Sequence, residues 1–139
     1  MKRLLYGLLI FAGAHLATSR GMAQTVIANS SVKASVISTA ELRDVFIGVT
    51  ANLRDGSRAI PVTLKSGETH DDFLKEFVGK SDAAFRATWR SLVFSGEATM
   101  PKLLNSDEEM VEYVAKTPGA IGYVSKNAKT AGVKVLTVR

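Results

Sequence analysis

Apolar positions along this chain fall into two kinds of pattern. Short runs of consecutive apolar residues alternate with stretches in which they recur every three or four positions. The first kind predicts buried strands and the second predicts amphipathic helices. Thr25 to Asn29 reads as a first strand ending in a turn at Asn29 to Ser31. Val36 and Ile37 extend a loop or strand before a helix. Ser38 followed by Glu41 forms a capping box, and Leu42, Val45 and Phe46 give that helix an apolar face before Gly48 stops it. Asp55-Gly56 lies in a tight turn over 52–57. Arg58 to Leu64 is the best strand of the first half, and its Pro61 predicts an edge or irregular position.

The second half repeats the alternation. A polar loop, Lys65 to Thr69, leads into a helix whose apolar face is Phe73, Leu74, Phe77 and Val78, closed by Gly79. Ser81 caps the next helix, with Ala84, Phe85, Thr88, Trp89 and Leu92 on one side. Residues 95–101 read as a loop. Ser106 and Glu109 form a second capping box, followed by Met110, Val111, Val114 and Ala115, and Thr117-Pro118-Gly119 ends that helix. Ala120 to Val124 and Val133 to Val138 are strands. Strands alternating with helices predict an α/β domain: a mixed or mostly parallel sheet of four or five strands flanked by helices.

The first 23 residues follow different rules. Lys2 and Arg3 precede an almost wholly apolar run from Leu4 to Ala17, and Gly21 and Ala23 stand at positions −3 and −1 before Gln24. This order predicts a secretory signal peptide over 1–23, a mature domain over 24–139 and a periplasmic destination. The apolar run falls short of the roughly 20 residues that span a bilayer. An uncleaved N-terminal anchor is the alternative. The chain has no cysteine, which excludes disulfides, thiolate metal sites, a cysteine nucleophile and a lipoprotein anchor.

Charge changes little. The whole chain is +5, but residues 1–23 hold three basic residues and no acid, leaving 15 basic against 13 acidic, or +2. The basic residues form no stripe, so nucleic acid is not an expected partner. With one histidine after residue 23, no Walker loop and no dinucleotide fingerprint, an enzyme is not expected either. No cofactor is implied.

Five segments, in order, resemble the phosphate-binding-protein family of ABC transporters. They are Ile37-Ser-Thr-Ala-Glu-Leu-Arg-Asp-Val-Phe-Ile-Gly48; Asp55-Gly56 with Ile60-Pro61-Val62; the Ser/Gly/Thr loop before Phe73; Trp89 with Phe94-Ser-Gly96 and Pro101; and Thr117-Pro-Gly-Ala-Ile-Gly-Tyr-Val124. The resemblance covers roughly 26–138. It implies a single lobe of a type II periplasmic-binding-protein-like fold, because family members that capture phosphate bind it between two lobes and this chain is long enough for one. Phosphate or a similar oxyanion is then the implied ligand, and an ABC permease, a second lobe or a second copy the implied partner. Three departures stand out: Leu53 replaces the usual tryptophan, Lys65 is the nearest basic residue where the family has a loop arginine, and Glu68 separates Gly67 from Thr69.

The strongest site candidate is the loop Lys65, Ser66, Gly67 and Thr69. A helix start offers free N–H groups and the positive end of the dipole to an oxyanion, while the hydroxyls and Lys65 add donors and charge. Glu68, Asp71 and Asp72 in the same turn favour a plain N-terminus instead. Ser38 and Thr39 mark a second helix start, for which capping is a sufficient account. His70 reads as a surface histidine, with a metal site alongside Asp71 or Asp72 disfavoured by the spacing. Asp107, Glu108, Glu109 and Glu112 offset a helix dipole. Phe85, Trp89 and Phe94 are core residues or an interface replacing the missing lobe. Two functions are therefore expected: an exported oxyanion-binding protein linked to an ABC transporter, or a periplasmic interaction or sensory module that kept the fold without the ligand.

Overall fold

The computed structural model describes residues 24–139, so the expected signal peptide lies outside the described residues. The elements in chain order are β1 (Gln24–Ala28), β2 (Val36–Ile37), α1 (Thr39–Phe46), β3 (Ile60–Leu64), α2 (Glu68–Phe73) running into a π-helical turn (Leu74–Val78), α3 (Asp82–Phe94), β4 (Lys102–Leu104), α4 (Asp107–Lys116), β5 (Ala120–Ser125) and β6 (Lys134–Val138). One six-stranded sheet has the order β2-β6-β1-β5-β3-β4. β1 runs antiparallel to both β5 and β6, while β3 is parallel to β4 and β5, and β2 is parallel to β6. The sheet is mixed, as expected, but it has one strand more than the pattern predicts. β4 is the addition: Lys102 to Leu104 is too short to show a period of its own and pairs only because β3 lies beside it.

β5 explains the layering. Its residues Ala120 to Val124 are all buried, so it must be covered on both faces. Gly122 faces α4, so closely that a β-carbon there would lie 2.5 Å from Met110 Sδ and 3.3 Å from Val114 Cγ2. Tyr123 faces the other way and stacks on Phe73 of α2, with ring centroids 3.8 Å apart, while Phe46 of α1 packs edge-on to Phe73. α3 forms an outer layer on that side. Its Phe85 and Trp89 are buried, and Trp89 Nε1 donates to Phe46 O at 2.9 Å.

Pro61 does not lie on an edge strand, because β3 has β5 on one side and β4 on the other. β4 pairs only from Val62 onward, so the missing N–H of Pro61 falls where the ladder to β4 has not yet begun. The three aromatics of α3 also separate. Phe85 and Trp89 join the core, whereas Phe94 is 95% exposed.

Candidate functional site

The loop between β3 and α2 is held at both ends by its neighbours. Lys65 N–H donates to Leu104 O at 2.8 Å, which ties the loop to β4. Lys65 O accepts from Arg86 Nη2 at 2.6 Å, which ties it to α3. Lys65, Ser66, Gly67 and Glu68 are exposed and Thr69 is half-buried. Gly67 precedes the first helical residue with φ +107°, a conformation that a side chain would strain. The starts of α1, α3 and α4 are capped by Ser38, Ser81 and Ser106, but among the described residues no side chain caps α2. The first N–H groups of α2 therefore lack a side-chain cap and follow Ser66 directly, with the Arg86 guanidinium near the base of the loop.

Ser38 and Thr39 do not belong to that arrangement. Ser38 Oγ accepts from Glu41 N–H at 3.0 Å, and Thr39 N–H donates to Arg139 O at 2.8 Å. The start of α1 thus closes on the end of β6, near the β2 edge of the sheet. Lys65 sits beside β4, at the opposite edge.

A buried hydrogen-bonded chain lies beneath the loop. His70 is 1% exposed, not a surface residue. The apolar face of its helix runs through Phe73 and Phe77, and the ring turns inward with them. Its Nδ1 meets the Tyr123 hydroxyl, and its Nε2 lies 2.7 Å from Asp82 Oδ1. Both ring nitrogens are therefore committed, and neither is directed to Asp71 or Asp72. Tyr123 also accepts the Leu64 N–H at 3.0 Å. An ionised carboxylate only accepts, so His70 Nε2 directs a proton at Asp82. Asp82 Oδ2 in turn accepts from Arg86 Nε at 2.8 Å.

The titration behaviour follows this wiring. Burial opposes ionisation of Asp82, but the hydrogen bonds from Arg86 and then His70 outweigh it and hold the carboxyl below its ordinary value. Burial is the main cause that raises the Tyr123 phenol far above its ordinary value, against the pull of the Leu64 N–H. A phenol so held stays protonated and does not serve as a nucleophile.

The sequence reading missed Asp82, Arg86 and Tyr123 as site-forming residues. The i,i+4 spacing of Asp82 and Arg86 was a legible signal of a helical ion pair. Nothing local links that pair to His70 or to Lys65, 21 residues before Arg86.

No protein-family model matches the chain, and no curated protein matches it in sequence. Solved structures do match it in fold. An ABC-type phosphate transport receptor from Vibrio cholerae aligns with a TM-score of 0.64 and 17% identity, over 84% of this chain and 46% of its own. A phosphate ABC transporter substrate-binding protein from Clostridium perfringens, solved with bound phosphate, aligns at 0.63 and 17%, over 84% and 44%. PstS from Borrelia burgdorferi aligns at 0.61 and 18%, over 84% and 47%. The chain thus has the α/β fold of part of these receptors, and it spans less than half the length of each of the three.

Proposed function

We propose that a chain with the fold of half a phosphate receptor serves as an exported, solute-binding-like protein that takes phosphate or a similar oxyanion and works beside an ABC permease. Residues 1–23 are its signal peptide, cleaved after Ala23, and the periplasm is its destination. It is not an enzyme. The anion site is the loop Lys65, Ser66, Gly67 and Thr69. The observation that carries this assignment is the uncapped start of α2. Uncapped N–H groups at a helix start suit an oxyanion, and the Ser66 and Thr69 hydroxyls add donors beside them. Arg86, whose Nε and Nη2 are held by Asp82 and Lys65 O, adds positive charge at the base of the loop and keeps Nη1 to offer. It comes from α3, not from the loop itself. Anion capture needs no cofactor.

Affinity is expected to be weak for one such unit, because among the described residues nothing closes over the ligand from the other side. A second copy or a separate partner supplies that closure. Titration calorimetry of residues 24–139 with phosphate, and with sulfate as control, tests the reading. Saturable, phosphate-selective heat supports it. No heat and no thermal stabilisation at millimolar phosphate overturns it.

A second reading, an interaction or sensory module without a ligand, is favoured by two observations. Glu68, Asp71 and Asp72 set three carboxylates in the turn where the anion would sit. Phe94 presents its ring to solvent at the end of α3, and a large exposed aromatic is a common anchor for a protein partner. Retention of a partner by the wild type but not by Phe94→Ser, with no phosphate binding, would favour this reading.

A further inference from the structure

We propose that Gln24 is a modification site: in the exported protein it closes on itself to pyroglutamate. The inference rests on cleavage after Ala23, as proposed above. Gln24 opens β1, an interior strand with β5 on one side and β6 on the other. In the full chain, with residues 1–23 joined to it, the residue is only 3% exposed, and β6 pairs with β1 only from Val26 onward. Neither its Nε2 nor its Oε1 has a hydrogen-bond partner among the described residues. The residue opposite in the ladder is Ser125, and its donors are turned away from Gln24. Its N–H and its hydroxyl both go to Asp107, at 3.1 and 2.5 Å. A buried carboxamide without partners is costly and uncommon.

Cleavage after Ala23 places a free α-amino group on this same residue. The amine nitrogen attacks the side-chain carbonyl carbon Cδ. The new N–Cδ bond forms as the Cδ–Nε2 bond breaks, and ammonia leaves with the proton that the amine gives up. No oxidant or second reactant enters. The product is a five-membered lactam that keeps the carbonyl oxygen and turns the terminal amine into an amide N–H. Two costs disappear together. The positive charge at the head of an interior strand is lost, and so is the Nε2 donor that the fold leaves unpaired.

The experiment uses the full chain exported from a bacterial host, with the product read by intact mass and by stepwise N-terminal degradation. The expected species is lighter than residues 24–139 by one ammonia, carries one positive charge fewer and resists degradation from its N-terminus. The variant Gln24→Ala, exported in the same way, is expected to show the full mass and to degrade normally from position 24. A product that begins at Gln24 and keeps an open side chain after prolonged incubation at neutral pH overturns the inference and leaves the export reading standing. A product that begins elsewhere, or an uncleaved chain, overturns both.

Discussion

The hydroxyl of Tyr123 and Nδ1 of His70 meet in the interior although the two residues lie 53 positions apart, and their rings stack at 19° with centroids 6.1 Å apart. This contact joins β5 to α2 and orients the imidazole so that Nε2 faces Asp82. Tyr123→Phe removes the hydroxyl while keeping the ring that stacks on Phe73. It leaves the Leu64 N–H and His70 Nδ1 without their partner at a buried site. Unpaired buried groups of this kind cost about 1–3 kcal/mol each. Urea unfolding of the variant should show a lower midpoint with an unchanged slope. Nitrogen NMR of the wild type should place the imidazole proton on Nε2.

Asp82 gives a pH test with a definite sign. Its folded-state carboxyl titrates below the ordinary value of 3.8. A depressed pKa means that the contribution to stability is fully present above 3.8 and is lost as pH falls through the folded value. Asp82→Asn should therefore be less stable than wild type at neutral pH, and the gap should narrow only below about pH 4. Thermal melts across the acid range would measure it. A gap that stays constant down to the acid transition would contradict the wiring from Arg86 and His70.

At the loop, Ser66→Ala combined with Thr69→Ala should abolish phosphate binding seen in the wild type, leaving the melting temperature nearly unchanged because neither side chain caps the helix. Arg86→Gln should weaken binding by about tenfold or more, since a hydrogen bond to a charged group is worth about 1.5–3 kcal/mol. Titration calorimetry reads both. Unchanged curves for the double variant would remove the loop from consideration.

Gly122→Ala tests the layering. The added methyl would approach Met110 Sδ to 2.5 Å and Val114 Cγ2 to 3.3 Å. The methionine end is flexible, but Val114 has less room to yield, so a cost of about 1–3 kcal/mol is expected. Met110→Ala in the same chain should recover part of that loss, visible as a coupling in a double-mutant cycle.

The aromatics of α3 should split under substitution. Trp89→Ala opens a cavity and frees the Phe46 carbonyl, a change that costs about 3–5 kcal/mol. Phe94→Ser, at a site 95% exposed, should change stability by less than about 0.5 kcal/mol. Paired denaturation curves would show whether Phe94 contributes to the isolated fold at all.

The sequence by itself determined all the elements but the short strand β4. Serine followed by glutamate three positions later placed the starts of α1 and α4, since a capping box is a local interaction. The buried run Ala120 to Val124 marked the central strand, since only a strand covered on both faces reads as continuously apolar. The motifs around Gly48, Asp55-Gly56 and Thr117 to Val124 pointed to the receptor fold that the solved structures share. The serine and glycine loop before Phe73 was equally legible as a loop leading into a helix, because its signal lies in neighbouring residues.

What only the tertiary structure decided depended on contacts between distant residues. β4 is a strand because β3 lies beside it, not because Lys102 to Leu104 carry a pattern. Pro61 is tolerated inside the sheet because β4 pairs one residue later. His70 is buried because Tyr123 and Asp82 each satisfy one of its nitrogens, and no local spacing reveals either partner. Arg86 reaches the loop at Lys65 from a helix that begins well after it. Polar residues show their partners only in three dimensions, since a hydrogen bond is fixed by distance and direction between groups that the chain order leaves far apart.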